Sequence, residues 1–369
     1  MSDMKRLIEC YVPIYVCNMQ CEYCYIKQNP GRDFQKKIEK FPYSPEKIAY
    51  ALRKKRLGGI CLINLCAGGE TLLSHETVEL AQLLLEEGHY VMIVTNGTVT
   101  KHIKELSCFP TELKKRMWIR FSYHFLELKK LNKMELFFEN VNLIKKSGAS
   151  IAIEMVASDD YIPYIDEIKQ LCLDNIGALP EINIARREED FSILTDLGKE
   201  KYIRIWSQFR SSSFDFKLNT VGVKRKEFCY AGDWTATLHL GTGEISKCYS
   251  EPFQNIYKDF DQPIFFEAMG SRCHLPYCHN SHIWLTLGDI PELEFPTFAQ
   301  IRNRKCSDGS EWLTVEMKEF INGKFIDTHK KYSFWKKAYI NRKTDIKKYF
   351  TLLKTEILKL GRRVKHKLR

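Results

Sequence analysis

The sequence predicts an α/β protein with a parallel sheet and helices on its outside. Six short apolar runs alternate with longer amphipathic segments between residues 7 and 184, and a repeated strand-then-helix order is typical of such sheets. Several amphipathic segments end at a glycine, among them Gly58, Gly88 and Gly148, where a left-handed helix cap forms most easily. With 369 residues, the chain is long enough for two domains or for one domain with additions.

The predicted elements follow one another in simple alternation. The strands are expected at residues 7–14, 60–65, 90–95, 117–123, 151–156 and 181–184. The helices are expected at residues 45–57, 74–87, 99–106, 133–147 and 163–173. Such a sheet is either an open doubly wound one or a curved partial barrel, and in both the chemistry collects at the carboxyl ends of the strands.

The second half of the chain lacks the regular strand–helix alternation of the first half. Residues 211–226 read as a connection, and residues 234–240 and 244–249 flank the turn Gly241-Thr242-Gly243 as a β-hairpin. From residue 291 the chain is expected to be irregular and then helical. We therefore predict a core at residues 1–210, an extension at 211–290 and a C-terminal region at 291–369.

Composition excludes two classes of protein as first interpretations. No stretch approaches the roughly 18 uninterrupted apolar residues of a membrane-spanning helix, and the N-terminus lacks the pattern of a signal peptide. The thirteen cysteines are odd in number and clustered, which favours metal ligation in a reducing compartment over a disulfide scaffold.

Three of the cysteines directly follow the first predicted strand. Cys17, Cys21 and Cys24 form a C-x3-C-x2-C motif, and three thiolates at this spacing can hold three irons of a cubane cluster. The fourth iron then has no protein ligand, which indicates a catalytic site. Structural zinc would need four ligands, and the next cysteine along the chain is Cys61.

With Tyr23 before its last cysteine, this motif closely resembles the signature of the radical SAM superfamily. The resemblance implies a partial (β/α)6 TIM-like barrel and a [4Fe-4S] cluster whose open iron chelates S-adenosylmethionine. One electron from the reduced cluster would cleave this cofactor to a 5′-deoxyadenosyl radical, and Tyr23 would lie against the adenine.

Further motifs follow the next strands. Gly68, Gly69 and Glu70 follow the second strand and resemble the family's GGE motif, which meets the methionyl amino group; glycines let the backbone approach the cofactor closely. Asn96 lies in a Thr-Asn-Gly-Thr sequence after the third strand, and Ser122 ends the fourth. The resemblance implies cofactor contacts for both, with the ribose as the partner of Ser122.

A second cysteine group lies on and after the predicted hairpin. Cys229, Gly243 and Cys248 form a C-x13-G-x4-C motif that resembles the first half of the SPASM extension and of the shorter twitch extension. Cys273 and Cys278 would complete the ligands of an auxiliary [4Fe-4S] cluster. The number of remaining cysteines permits one such cluster, as in the twitch form.

Zinc is the alternative at this second group. Cys273, Cys278, His279 and His282 have spacings that a zinc ion accepts, but this set leaves Cys229 and Cys248 without a role.

Six cysteines remain, and we expect core packing for them as the default. They are Cys10, Cys61, Cys66, Cys108, Cys172 and Cys306. Cys66 is the exception, because it lies beside the glycine motif, where a thiol could donate a hydrogen atom in a radical epimerisation.

The C-terminal region holds the excess positive charge. Residues 331–369 carry fourteen Lys and Arg against two acidic residues, whereas the whole chain has a net charge of +11. Apolar residues recur at three- and four-residue steps from Ile346 to Leu368, which predicts a basic amphipathic helix. It lies either on an anionic membrane surface or against the body of the protein; a nucleic-acid partner ranks third.

Together these motifs predict an oxygen-sensitive, cytoplasmic radical SAM oxidoreductase or epimerase, with a peripheral location at the inner face of the membrane left open. No peptide-recognition domain fits before Cys17, which favours a sugar- or aminocyclitol-type substrate, free or carrier-linked. The expected electron donor is of the flavodoxin or ferredoxin type. Maturation of a ribosomally made peptide and a non-enzymatic zinc module with a basic arm are the alternatives.

Overall fold

The computed structural model describes residues 3–26, 28, 38, 40–249, 252–280, 282–287 and 296–346. Nine strands lie in these residues: β1 (Arg6–Val12), β2 (Cys61–Ala67), β3 (Tyr90–Thr95), β4 (Met117–Ser122), β5 (Ser150–Ala157), β6 (Glu181–Ile184), β7 (Thr235–His239), β8 (Glu244–Ser246) and β9 (Pro252–Asn255).

The described α-helices surround this sheet along the chain. They are α1 (Pro45–Ala51), α2 (Lys54–Leu57), α3 (His75–Glu86), α4 (Thr100–Ser107), α5 (Thr111–Lys114), α6 (Phe125–Lys130), α7 (Met134–Lys146), α8 (Ile165–Ile176), α9 (Lys199–Trp206), α10 (Ser212–Leu218), α11 (Ile283–Thr286), α12 (Phe298–Arg302), α13 (Val315–Ile321) and α14 (Phe325–Thr328). Residues 334–346 are also helical. None of the described helices is long and apolar enough to cross a membrane.

All nine strands belong to one sheet with the order β6-β5-β4-β3-β2-β1-β7-β8-β9. Strands β1 to β6 pair in parallel with their sequence neighbours, as the alternation predicts, because each crossover helix returns the chain to the same end of the sheet. The prediction of an α/β fold with parallel strands is confirmed. The partial barrel remains a prediction.

The predicted hairpin exists, but it is not a separate unit. Strand β7 pairs in parallel with β1, and β8 and β9 then continue the sheet in antiparallel order. The sheet therefore runs across the predicted boundary at residue 210, because β1 offers β7 an open edge that a local sequence pattern does not reveal.

Part of the expected connection at residues 211–226 is helical. Helix α10 begins there because the Ser211 hydroxyl accepts a hydrogen bond from the Phe214 backbone N–H, as N-cap serines do. Phe214 and Phe216 are buried, so the apolar side of this helix is part of the core.

Most of the cysteines expected in the core are there. Cys10, Cys61 and Cys172 are fully buried and Cys306 is 4% exposed. Cys108 is exposed, so the expectation of core packing is wrong for it; it follows α4 at the C-terminal cap.

Candidate active site

The first cysteine group lies on the loop that follows β1 and faces a large cavity. Cys17, Cys21 and Cys24 all line this cavity, which has a volume of about 1680 Å³. Burial raises the pKa of the Cys21 thiol to about 12, and Cys17 and Cys24 act in the same direction. The three thiols therefore lie close to one another, as ligands of one cluster must.

Two backbone hydrogen bonds join this loop to the glycine motif after β2. The Gly69 N–H donates to Ile14 O at 2.9 Å, and the Glu70 N–H donates to Val16 O at 2.9 Å. A Cβ atom on Gly69 would lie 1.9 Å from Val16 O, so only glycine fits. The sequence suggested that glycine clears space for a cofactor; for Gly69 the structure shows that it clears space for the cysteine loop.

The Glu70 carboxylate links the loops after β2 and β3 through hydrogen bonds. It accepts hydrogen bonds from the Leu72 N–H at 2.9 Å, the Thr95 hydroxyl at 2.6 Å and the Asn96 N–H at 2.7 Å. Burial raises its pKa, and these hydrogen bonds act against that shift. The side chain therefore fixes the loops that line the cavity.

Asn96 links the third strand to the cysteine loop. Its Nδ2 atom donates to Asn18 Oδ1 at 2.7 Å and approaches Cys17 Sγ at 3.8 Å. Its Oδ1 atom accepts from the Thr98 N–H and hydroxyl. Because hydrogen bonds to cluster sulfurs tune the reduction potential, Asn96 is placed to adjust the electronics of a cluster held by Cys17.

Tyr23 belongs to a chain of three polar aromatic residues at the cavity wall. The Tyr161 hydroxyl donates to the Tyr23 hydroxyl oxygen at 2.8 Å, and the Tyr23 oxygen lies 2.6 Å from His124 Nδ1. Burial lowers the pKa of His124 to about 4, so this imidazole is neutral, and its Nδ1 and the Tyr23 hydroxyl share one hydrogen bond. The ring of Tyr23 is thus held in one orientation beside the cysteines.

The other candidates from the core motifs also reach the cavity. Gly68, Asn96, Ser122 and Cys66 line it. The Cys66 thiol lies 3.7 Å from Cys10 O, and burial, aided by the Glu9 carboxylate, raises its pKa well above the usual range. Cys66 is therefore a protonated thiol inside the cavity, the form that a hydrogen-atom donor requires.

The four later cysteines lie together. Burial raises the pKa of Cys229 to about 12, and Cys248 and Cys273 add to the shift. The pKa of Cys278 is raised well above its usual range by burial and then by Cys229, Cys248 and Cys273. Asn280 donates from Nδ2 to Cys248 Sγ at 3.0 Å. This set of four neighbouring thiols suits an iron–sulfur cluster.

Gly243, the glycine of the second motif, allows the hairpin to turn. Its φ is +74°, and a Cβ atom there would lie 2.3 Å from the Tyr257 ring. The turn places Cys248 on the loop after β8, where it lines the same cavity as the first cysteine group.

The two histidines of the zinc alternative are surrounded by other groups. His279 stacks between Phe191 and Tyr249, with ring centroids at 4.5 and 5.2 Å. His282 is 1% exposed, and burial and the cations of Arg120 and Arg302 lower its pKa well below the usual value.

Among the described residues, no three His, Cys, Asp or Glu side chains converge closely enough to hold a single metal ion. A cubane cluster places each thiolate on a different iron, so its cysteines stand farther apart than the ligands of one ion.

A network of buried charges forms the deep wall of the cavity. Glu154 on β5 accepts two hydrogen bonds from Arg120, at 2.8 and 2.5 Å, and one from Arg302 at 2.6 Å. Asn183 also donates to it, and Lys217 donates to Asn183. Burial alone would raise the pKa of Glu154, but the two guanidinium groups hold it well below its usual range.

Comparison with known proteins supports the resemblance that the cysteine motif indicated. Residues 11–109 match the family model of the radical SAM superfamily. Over these residues the chain is similar to a radical SAM domain. The match contains the cysteine motif, the glycine motif and Asn96.

One curated relative extends this comparison. A protein of Methanocaldococcus jannaschii, whose name assigns it to the activating enzymes of glycyl-radical enzymes, is 33% identical over 87 residues. The matched part is 24% of this chain, and it spans only 31% of the relative's own length.

Solved structures resemble the chain over a longer range. Streptococcus suis SuiB has a TM-score of 0.50 at 13% identity, over 71% of this chain and 67% of SuiB. The structure of anSMEcpe with bound AdoMet has a TM-score of 0.47 at 16% identity, over 69% of this chain and 79% of that one. The likeness to SuiB concerns the fold alone.

Motif reasoning missed the cavity-lining residues that lie on the strands and on a helix rather than on the loops. Glu9, Asn64, Arg120 and Lys217 line the cavity but belong to no recognisable motif. A charged residue inside an apolar strand was the available signal for Glu9 and Arg120. Nothing local indicates Arg302, which reaches Glu154 from 148 residues away.

Proposed function

We propose that this protein is a radical SAM enzyme that uses a second iron–sulfur cluster to act on a small or carrier-linked polar substrate. One observation supports it above all: Cys17, Cys21 and Cys24 line the same cavity as Cys248. A substrate in this cavity would lie between the two cysteine groups.

At the first group, Cys17, Cys21 and Cys24 would hold three irons of a [4Fe-4S] cluster. With S-adenosylmethionine bound, this cluster supplies a 5′-deoxyadenosyl radical that removes a hydrogen atom from substrate carbon. The chain's own share is positional. Asn96 orients Cys17, and Tyr23, held by Tyr161 and His124, gives the cofactor a fixed aromatic wall.

At the second group, Cys229, Cys248, Cys273 and Cys278 would hold an auxiliary [4Fe-4S] cluster. Its chemistry, when bound, is to accept one electron from a substrate radical, which makes the overall reaction an oxidation. In the epimerising alternative, Cys66 gives a hydrogen atom to the substrate radical, and the resulting thiyl radical is restored by one electron from the external donor and one proton from water. A flavodoxin- or ferredoxin-type protein would be that donor.

A group of polar side chains in the cavity wall supports a sugar- or aminocyclitol-type substrate. Glu9, Asn64, Asn183 and Lys217 line the cavity among apolar residues, and a few placed polar groups in an apolar pocket fix the orientation of a ligand. The second candidate is maturation of a peptide, since the cavity of about 1680 Å³ exceeds the roughly 300–1,000 Å³ of usual ligand pockets; the proposed cofactor and clusters would share this volume with the substrate. Tight binding of a leader-like peptide would support that candidate.

The proposed membrane contact depends on the predicted basic amphipathic helix. Beyond Ile346, this helix lies outside the described residues. Co-sedimentation with anionic liposomes tests it: full-length protein should bind and a chain ending at Lys330 should not, whereas equal binding would contradict it.

The deciding experiment measures iron, acid-labile sulfide and zinc after anaerobic purification. We expect about eight irons per chain, falling to about four when Cys17, Cys21 and Cys24 are all replaced by alanine. Replacing Cys229 and Cys248 by alanine should remove the other four and leave cleavage of S-adenosylmethionine. About four irons and one zinc would make the second site structural, and no iron after reconstitution would overturn the proposal.

A further inference from the structure

Below the cysteine loops, three neighbouring strands present polar side chains at one level of the cavity. Glu9 on β1 is in register with Asn64 on β2 and with Thr237 on β7. All three line the cavity. Because neighbouring parallel strands lie about 4.8 Å apart, the side chains form a short row.

Two atoms in this row lack hydrogen-bond partners among the described residues. They are Glu9 Oε2 and Asn64 Oδ1, although Glu9 is only 8% exposed and Asn64 only 2%. His282 Nδ1 lies 3.9 Å from Glu9 Oε2, which is too far for a hydrogen bond.

Buried acceptors without partners are costly and rare. Each costs about 1–3 kcal/mol, and such exceptions in folded proteins call for a ligand, a bound water or a functional role. The contrast with Glu154 is local, because that carboxylate receives hydrogen bonds from Arg120, Arg302 and Asn183. Among the cavity-lining carboxylate and amide oxygens of the described residues, those of Glu9 and Asn64 lack partners; His279 Nδ1, on the same cavity wall, lacks one as well.

We propose that Glu9 and Asn64 form a subsite that holds two adjacent hydroxyl groups of a neutral, polyhydroxylated substrate. This inference rests on the proposed function and names its substrate class. Carboxylate and amide oxygens accept hydrogen bonds, and hydroxyl groups donate them without bringing charge.

The surrounding charges favour hydroxyl groups over an ammonium group. Arg120, Arg302 and Lys217 line the cavity with Glu9. Burial lowers the pKa of Lys217 to about 7 and raises that of Glu9 to about 7, so two guanidinium charges face the Glu154 carboxylate and the balance is positive while Glu9 is protonated. A cationic substrate would meet this excess charge at short range, whereas a hydroxyl group would not.

The subsite also lies close enough to Cys66 and the cysteine loop for a bound ring to extend toward them. The next cavity-facing level on the same strands contains Tyr11, Cys66 and His239, which are in register with one another. Two residues along a strand correspond to about 6.6 Å. A ring anchored at Glu9 and Asn64 would therefore extend toward Cys66 and the cysteine loop.

The test is calorimetric titration of the anaerobically reconstituted enzyme, in the presence of S-adenosylmethionine, with myo-inositol, cyclohexanol and cyclohexylamine. We expect saturable binding of myo-inositol only. Glu9→Gln and Asn64→Ala should each weaken it about tenfold or more. Glu244→Gln is the matched control, since this glutamate is exposed on β8 of the same sheet, and it should bind as the unchanged protein does.

Several outcomes would overturn the inference. They are no binding of myo-inositol, equal binding of cyclohexanol, stronger binding of cyclohexylamine, or unchanged binding by Glu9→Gln. Thermal unfolding at pH 8 separates a structural role: removing an unpaired carboxylate should keep or raise the Tm of Glu9→Gln, whereas a structural carboxylate would give a lower Tm.

Failure of the proposed function would look different. Missing iron, or no cleavage of S-adenosylmethionine by the unchanged enzyme, would overturn the proposed function. Binding of the polyol is measured without turnover, so it tests the subsite separately. Iron content and cofactor cleavage without substrate should be the same in Glu244→Gln as in the unchanged enzyme.

Discussion

The Asn96 amide lies between Asn18 and Cys17, donating to Asn18 Oδ1 at 2.7 Å and lying 3.8 Å from Cys17 Sγ. The Asn96 side chain, which follows the third strand, thus contacts both Asn18 of the cysteine loop and the sulfur of Cys17. The stability of the loop and the properties of its proposed cluster should therefore change together.

Replacing Asn96 by alanine tests this coupling. We expect Asn96→Ala to lower the free energy of unfolding by about 1–3 kcal/mol and to lower the reduction potential of the cluster, because a sulfur that loses a hydrogen bond holds more negative charge. Denaturant titration and redox titration monitored by electron paramagnetic resonance measure the two effects. Asn142→Ala, which removes an exposed amide bonded to Asn175 O, should change neither.

A methyl group at Gly69 should disrupt the contact between two loops. Gly69→Ala would place Cβ 1.9 Å from Val16 O, so we expect the cysteine loop to move and the first cluster to be lost, with iron falling by about half. Gly323→Ala is the control, because its Cβ would meet Thr328 at an ordinary 3.5 Å. Full iron content in Gly69→Ala would show that the loops adapt.

The buried Arg120–Glu154–Arg302 cluster should be sensitive to loss of its acid. Glu154→Gln removes the carboxylate that contacts both buried guanidinium groups, and we expect a loss of about 3–5 kcal/mol in the free energy of unfolding. Glu135→Gln on the exposed side of α7 should cost less than about 0.5 kcal/mol. Equal effects in urea titration would contradict this interpretation of the cluster.

Stability should also depend on pH through Glu9. Burial raises the pKa of this carboxyl from 4.5 to about 7 in the folded protein, with Arg120 opposing the shift. The folded state holds the proton more tightly than the unfolded chain, so the contribution is full below pH 4.5 and is lost above about pH 7. Its size is on the order of 3 kcal/mol.

Comparison with Glu9→Gln isolates this contribution. The difference in unfolding free energy between the unchanged protein and the variant should fall from pH 5 to pH 8 by that amount. A constant difference across this range would mean that Glu9 finds a partner in solution.

Cys66 should matter only if the reaction is an epimerisation. Its thiol lies inside the cavity and is held protonated by burial, so Cys66→Ala should keep the iron content and hydrogen abstraction but lose incorporation of solvent deuterium into product. Cys108→Ala, which removes an exposed thiol, should keep both. Unchanged deuterium incorporation in Cys66→Ala would assign the donor elsewhere.

The sequence predicts those parts of the site whose residues are close together in the chain. Cys17, Cys21 and Cys24 lie within eight residues, so their meeting at one cavity needs no knowledge of the fold. Strands β3 and β6 were predicted to the residue. For β3 the reason is that a buried parallel strand is apolar along nearly its whole length.

Local spacing does not predict contacts between residues that are far apart in the sequence. The partners of Glu70 come from the next strand, and Arg302 arrives from the C-terminal region to meet Glu154. The parallel pairing of β7 with β1 was equally hidden, because a strand's sequence indicates that it pairs but not with which neighbour. Cys108 was assigned to the core by residue type alone, which does not report its position at a helix end.

The pairing of β7 with β1 limits how this protein can be divided. A fragment ending near residue 210 would keep the cysteine loop but expose the β1 edge, whose Leu7, Ile8 and Cys10 are fully buried in the whole chain. Open apolar edges recruit other chains and cause aggregation. The cysteine loop and the hairpin should therefore unfold as one cooperative unit, and a minimal catalytic fragment of this chain has to include β7.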